Sequence, residues 1–180
     1  MANAKRLAPV DAKNHFTDNF INAFINGVSQ TFKVMTRTAV HAETPILAEK
    51  LPRHGDIAGF VGLIGDQVQG MLLVSFDKEV LFYFLNQMFG HEYTEITDEV
   101  TDAVGEFTNI IYGGSKTILN DLGYHFDMAI PSVVAGATYF AIRETDQTLS
   151  IPFSSQSGRF ILTITLREKQ DLPKLMHKKA

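Results

Sequence analysis

Hydrophobic residues along the chain follow two spacings, one typical of helices and one of strands. Over roughly Thr17 to Thr38, apolar residues recur every three to four positions, which predicts a long helix with one buried face. That face comprises Ile21, Phe24, Ile25, Val28, Phe32 and Met35. Two shorter apolar runs, Asp56–Ile64 and Gln67–Phe76, flank the turn residues Gly65 and Asp66, and this pattern predicts a β-hairpin.

The second part of the chain repeats this order. A shorter helix is predicted between Asp77 and Gly90, and a second long helix from Thr97 or Asp98 to about Leu122. Extended segments are predicted after it. They are His125–Val134, Ala137–Arg143, Thr148–Phe153 and Gly158–Leu166.

The two halves of the chain therefore look like copies of one unit. Gly27 and Gly113 are 86 positions apart, as are Pro45 and Pro131, and each half runs from a long helix through a proline-containing stretch to a hairpin. Strands grouped between helices predict a pseudo-duplicated α+β fold with a mainly antiparallel sheet, two long helices and a shorter one. We expect one domain over residues 1–180, with flexible ends at about 1–13 and 170–180.

Composition narrows the possible functions. Of the 180 residues, 45% are hydrophobic and 20% charged, and the net charge of −4 gives no general attraction to nucleic acid or anionic membranes. There is no cysteine, and no apolar run reaches the roughly 20 residues that cross a bilayer. The six histidines form no zinc-type pair, so no metal site is expected. These features predict a cytoplasmic protein without a membrane span.

The second long helix carries the chemical signal. At about 100° per residue, its apolar residues fall on one side and predict the core-facing stripe. That stripe comprises Val100, Ala103, Val104, Phe107, Ile110, Ile111, Gly114, Ile118 and Leu122. The opposite, polar stripe comprises Asp102, Glu106, Asn109, Gly113, Lys116 and Asn120.

Two residues of the polar stripe are poor choices for a simple solvated helix face. Glycine costs about 1 kcal/mol relative to alanine in a helix, and packing gives no reason for Gly113 on the solvent side. Without a side chain there, the backbone of another molecule can approach closely. Asn109 is also a mediocre helix former. Gly114, on the predicted core side, is explained by close packing of a neighbouring helix.

The spacing Asp102-x3-Glu106-x2-Asn109-x3-Gly113, in a helix followed by Pro131, resembles the signature of the CheC, CheX and FliY phosphatases. The stretch from Ala129 to Val134 and the terminal hairpin from Ile151 to Phe160 support the resemblance, which covers roughly residues 15–167.

The number of motif copies indicates the CheX type within that family. CheC-like members carry the motif on both long helices. The 86-residue offset places Phe20 and Ala23 at the corresponding positions of the first helix, and neither can do this chemistry. A single copy, on the second helix, is the CheX arrangement.

The resemblance implies a hydrolase that removes phosphate from the aspartyl phosphate of a CheY-like receiver domain, in chemotaxis or another two-component pathway. Asn109 is expected to orient the attacking water and Glu106 to pair with a receiver lysine, and these are the two catalytic candidates. The candidates for partner contact are Asp102, Gly113, Lys116 and Asn120. No cofactor of the chain's own is expected, because the Mg²⁺ belongs to the phosphorylated receiver.

Two other interpretations remain open at this point. The chain could be a non-catalytic module that docks on a receiver or a flagellar switch component, or an unrelated α+β domain with a chance motif.

The resemblance also implies a homodimer joined through sheet edges, for which the strands Thr148–Phe153 and Gly158–Leu166 are sufficiently apolar.

Overall fold

The computed structural model describes residues 15–48, 55–66, 68–136, 140 and 146–169, and within these it contains three helices and seven strands. In chain order they are α1 (Asp18–Met35), β1 (His41–Ala42), β2 (Ile46–Leu47), β3 (Ile57–Ile64), β4 (Val68–Phe76), α2 (Lys78–Phe89), α3 (Asp98–Asp121), β5 (Ser132–Ala135), β6 (Gln147–Ser155) and β7 (Gly158–Glu168). The predicted strand over 137–143, apart from Phe140, and both predicted flexible ends lie outside the described residues.

The helices begin and end close to their predicted bounds, although Asp77, before α2, makes no side-chain capping hydrogen bond. The Thr17 hydroxyl accepts a hydrogen bond from the Phe20 backbone N–H at 3.2 Å, and Thr97 accepts from Val100 at 3.4 Å. Gly90 ends α2 in the left-handed conformation, with a φ of 76° that favours glycine. The predicted positions of all three helices are confirmed.

All pairs among the described strands are antiparallel, in the order β1-β6-β7-β4-β3-β5, with β2 also paired to β6. The short strands that follow the two long helices are exchanged between the halves of the chain. β1 and β2 follow α1 and pair with β6, whereas β5 follows α3 and pairs with β3. Each half therefore completes the hairpin of the other, as a duplicated unit related by an approximate two-fold axis would.

The late strands do not form a sheet edge, so that part of the dimer expectation is wrong. β7 is paired on both sides, by β6 and β4, and β6 is covered on its other side by β1 and β2. Among the described strands, the edges are the short β1 and β2 at one end and β5 at the other. The long apolar strands are internal because the short segments after the helices have added to the sheet.

The core lies between the helices and one face of the sheet. The Phe32 ring of α1 is stacked on Phe107 of α3, with ring centroids 5.0 Å apart. It also contacts Phe84 of α2 at 4.6 Å and Phe160 of β7 at 4.7 Å. α3 packs against α1, β3 and β5, so both the sheet and a second helix fix its position.

In the described part of the chain, no helix is long and apolar enough to cross a bilayer.

Candidate functional site

α3 presents the motif residues to solvent. Asp102, Glu106, Asn109 and Gly113 are all exposed. Within the described residues, neither the Glu106 carboxylate nor the Asn109 amide has a hydrogen-bond or ion-pair partner, so both groups are available to another molecule. The helix geometry places the two side chains one turn apart on the same face.

The buried face of α3 is rotated relative to the predicted core stripe. Thr108 and Ser115 are both 0% exposed, and each hydroxyl donates a hydrogen bond of 2.8 Å to the carbonyl four residues earlier, Val104 or Ile111. These internal bonds satisfy the two hydroxyls away from water. Several residues predicted to be in the core are instead exposed. They are Ile110, Gly114, Ile118 and Leu122.

Glycines on two neighbouring elements make room for these hydroxyl-bearing side chains. A Cβ added at Gly59 of β3 would overlap the Thr108 hydroxyl, and one added at Gly27 of α1 would overlap the hydroxyl of Ser115. The added Cβ at Gly27 would also lie 3.1 Å from the Ile111 carbonyl oxygen. We call these two contacts the glycine notches. They seat α3 against the sheet and against α1, and the sequence interpretation missed them.

Two of the three glycines of α3, Gly113 and Gly114, have no packing role among the described residues. A Cβ at Gly113 or Gly114 would have no neighbour within 4 Å. The prediction that Gly114 permits close helix–helix approach is therefore wrong, because Gly27 of α1 has that role. Gly113 is open on the solvent side, in agreement with its prediction, and its contact with a partner stays a prediction.

The correspondence between the two long helices differs from the predicted one. Phe20 and Ala23 are buried, so they cannot match the exposed Glu106 and Asn109. A shift of 87 positions instead pairs five of the eight buried residues of α1 with buried residues of α3, and it matches identical residues at three positions. The identical pairs are Phe20 with Phe107, Asn22 with Asn109, and Gly27 with Gly114. Asn19 then stands opposite Glu106, so α1 has the amide but lacks the carboxylate, and one copy of the motif remains.

The segment after α3 is bound to one flank of the helix. The buried Tyr112 donates a hydrogen bond of 2.6 Å to the Asp127 carbonyl. Burial, and then the negative charge of Asp127, raise the pKa of Tyr112 to about 12. Tyr112 thus has a structural role, because it holds the segment after α3 against the helix.

The remaining candidates for partner contact differ in availability. The Asn120 amide is already engaged, since its Oδ1 accepts from the Phe126 N–H at 2.7 Å and its Nδ2 donates to the Phe126 carbonyl at 3.3 Å. Asp102 is exposed and Lys116 half-buried. We therefore see a supporting role for Asn120, while contact of all three residues with a partner stays a prediction.

The available chemistry is that of positioning. Among the described residues, no group of three or more His, Asp or Glu side chains could hold a metal ion. An exposed amide can hold a water molecule through both a donor and an acceptor, and a nearby carboxylate can pair with a cation of a partner. The site is thus suited to act on a reactive group that another molecule brings.

Comparisons with known proteins agree with this geometry. The profile of the family described as chemotaxis phosphatase CheX matches residues 57–154. The CheY-P phosphatase CheX of Thermotoga maritima is 26% identical over 135 residues, which cover 74% of this chain and 86% of that protein.

Solved structures are similar over most of the chain. A CheC-like superfamily protein from Shewanella sp. PV-4 has a TM-score of 0.78 and 35% identity, covering 84% of this chain and 99% of that one. A CheX–CheY–BeF3–Mg²⁺ complex from Borrelia burgdorferi gives a TM-score of 0.69 and 25% identity, covering 83% and 98%. Since the matched residues 57–154 are more than half of the chain and include the whole motif of α3, the chain belongs to the chemotaxis phosphatase CheX family.

Proposed function

We propose that the chain is a phosphatase that accelerates hydrolysis of the aspartyl phosphate of a CheY-like receiver domain. One observation carries the proposal. Glu106 and Asn109 lie one turn apart on the exposed face of a helix that is fixed on its other side, within the part of the chain that matches the family. We place the protein in the cytoplasm, where such receivers act, within chemotaxis or a related two-component pathway.

The substrate supplies much of the required electrostatics. In a receiver, the acyl phosphate is expected to lie beside a Mg²⁺ ion and a lysine, which neutralise charge on the phosphoryl oxygens. Phosphoryl transfer then depends mainly on positioning the attacking water in line with the leaving oxygen. The chain therefore needs no metal of its own, and the Mg²⁺ is a component of the partner.

Asn109 is suited to position that water. Its amide offers a donor and an acceptor, so it can fix the orientation of one water molecule. The amide is neutral and is not repelled by the phosphoryl group, as an aspartate would be. Since the amide has no partner within the described chain, no internal hydrogen bond has to break first.

Glu106 is suited to anchor the receiver. Its exposed carboxylate can form a charge-assisted hydrogen bond with the receiver lysine and so set the docking register. Asp102, Gly113 and Lys116 lie along the same face and complete the proposed contact, while Asn120 supports it through Phe126.

Phosphate release from phosphorylated receivers tests the proposal. A panel of purified receivers is phosphorylated, and the rate of phosphate release is measured with and without the protein. We expect at least one receiver to be dephosphorylated faster. Binding of a receiver with no change in the hydrolysis rate would instead identify a non-catalytic docking module.

We also propose a homodimer, joined through the β2 edge of the sheet. Ile46 and Leu47 at this edge are 56% and 61% exposed, so a second copy would cover apolar surface as it extends the sheet. Light scattering should report a dimer at micromolar concentration and a monomer for the Ile46→Lys, Leu47→Glu variant. A monomeric wild type would contradict the dimer without affecting the phosphatase proposal.

A further inference from the structure

Residues 128–131 form a short segment between two fixed points, here called the 128–131 segment. On its N-terminal side, the Asp127 N–H donates to the Ile64 carbonyl at 2.8 Å and the Asp127 carbonyl accepts from Tyr112. On its C-terminal side, Ser132 begins β5 and pairs with Phe60 of β3. The segment is therefore held in place by the sheet and by α3.

This segment passes the flank of α3 that carries Asn109. Helix positions 105, 109, 112, 116 and 120 lie along one flank of α3. Contacts on both sides of Asn109 join this flank to residues 126–133, so the 128–131 segment borders the motif. Asn120 is hydrogen-bonded to Phe126 and Tyr112 to Asp127, and Gly105 lies beside Val133, whose Cγ2 would be 3.6 Å from a Cβ added at Gly105.

Two large apolar side chains of the segment point into solvent. Met128 is 87% exposed and Ile130 is 91% exposed, more than any other large hydrophobic residue in the described part of the chain. Ala129 between them packs against the core. This alternation is that of an extended backbone, in which successive side chains point to opposite sides, so the backbone conformation holds both side chains outward.

We infer that Met128 and Ile130 form an apolar docking contact for the phosphorylated receiver. The inference rests on the proposed function, because a receiver whose acyl phosphate reaches Asn109 must also cover the surface beside it. Protein interfaces commonly combine a few buried apolar anchors with a polar rim. The polar face of α3 would set register, while the apolar pair would supply affinity.

The receiver is a better occupant of this surface than a second copy of the chain. The 128–131 segment precedes β5, at the opposite end of the sheet from β1 and β2. A second copy seated on Met128 and Ile130 would cover Asn109 and block the motif. The segment is also fixed at both ends, so little conformational entropy is lost when it docks. The receiver must therefore present apolar side chains beside its phosphorylated aspartate.

Steady-state kinetics of the Met128→Ser, Ile130→Ser double variant test the inference. We expect KM for the phosphorylated receiver to rise about tenfold to a hundredfold, from the loss of two buried apolar contacts, while kcat stays that of the wild type. The matched control is Val34→Ser on α1, which removes an apolar side chain that is 66% exposed and should change neither constant. Circular dichroism checks that each variant is folded.

The outcomes separate this inference from the proposed function. An active wild type with an unchanged KM in the double variant overturns the inference alone. A fall in kcat at unchanged KM in the double variant would also overturn the inference. The same holds if light scattering shows that the double variant differs from wild type in its oligomeric state and in nothing else. If the wild type releases no phosphate, the proposed function fails, and receiver binding then decides the inference. Equal Kd values for wild type and double variant would overturn it.

Discussion

The two long helices come from the same repeated unit, yet only α3 carries both the glutamate and the asparagine of the motif. A shift of 87 positions matches five pairs of buried residues: Phe20 with Phe107, Ile21 with Thr108, Phe24 with Ile111, Val28 with Ser115 and Phe32 with Leu119. Their exposed faces differ. α1 carries three asparagines, Asn19, Asn22 and Asn26, where α3 carries Glu106, Asn109 and Gly113.

This difference separates the residues that keep a helix in place from those that we propose to act on a partner. Both helices keep an apolar face for the same core, since its loss would destabilise the fold. Asn22 shows that an exposed amide alone is not distinctive. What α3 has in addition is a carboxylate one turn away, a position without a side chain, and the 128–131 segment alongside.

The largest expected effect comes from removing the amide of α3. Asn109→Ala should lower kcat by about a hundredfold or more, because the attacking water is no longer oriented, while receiver binding stays largely intact. Asn22→Ala removes the matching amide of α1 and should leave kcat and Kd unchanged. Phosphate release and a binding titration measure both. Full activity of Asn109→Ala would refute the assignment.

Removing the carboxylate should have the next largest effect. Glu106→Ala should lower kcat/KM by about tenfold to a hundredfold through loss of a charge-assisted hydrogen bond, and it should weaken receiver binding as well as the rate. Asp121→Ala, which removes an exposed carboxylate at the end of α3, is the control. Unaltered receiver affinity in Glu106→Ala would argue against an anchoring role.

The glycines of the two helices should respond in opposite directions. Gly27→Ala should lower the unfolding free energy by about 1–3 kcal/mol, because its methyl group would overlap Ser115. Gly113→Ala should raise it by about 1 kcal/mol and yet reduce kcat/KM several-fold, because the methyl group stands where the partner approaches.

Gly114→Ala is the control for that pair, since it adds a methyl group at an equally open position outside the polar stripe. Urea unfolding and receiver kinetics provide the two measurements. If Gly113→Ala and Gly114→Ala have the same kinetics, Gly113 has no role in docking.

Titration of Tyr112 should give the smallest effect. α1 has Ile25 at the matching position, so this anchor also belongs to α3 alone. The folded-state pKa of about 12 lies above the ordinary value of 10.0. The contribution of the neutral Tyr112 hydroxyl to the free energy of unfolding is therefore fully present below pH 10 and is lost as the pH rises towards 12. Urea midpoints across this range should fall less for Tyr112→Phe than for wild type. Equal falls would show that Tyr112 does not titrate in this way.

Much of the fold follows from local patterns. Helical periodicity, with Thr97 and Gly90 as helix bounds, predicts three helices within a few residues of their observed ends. The turn at Gly65 and Asp66 predicts the first hairpin. The edges of the sheet were beyond such patterns, because β1 and β2 have only two residues each and pair with β6 far along the chain.

The exposed site was predicted more accurately than the packing behind it. Glu106 and Asn109 are where the helical projection puts them. The core stripe was rotated because Thr108 and Ser115 count as polar in a sequence, whereas each satisfies its hydroxyl within the helix and fits against a glycine of another element. Only the pairing of Gly59 and Gly27 with these residues reveals this, and that pairing is a property of the tertiary structure.

The two glycine notches, at Gly59 of β3 and Gly27 of α1, fix the rotation of α3 about its own axis. A rotation of α3 would have to remove the Thr108 and Ser115 hydroxyls from both notches at once. Asn109 directly follows Thr108 in the helix. The direction in which its amide points is therefore set by the contact of Thr108 with the backbone of β3 at Gly59. A Gly59→Ala substitution would therefore change the orientation of Asn109, although the two residues are not in contact.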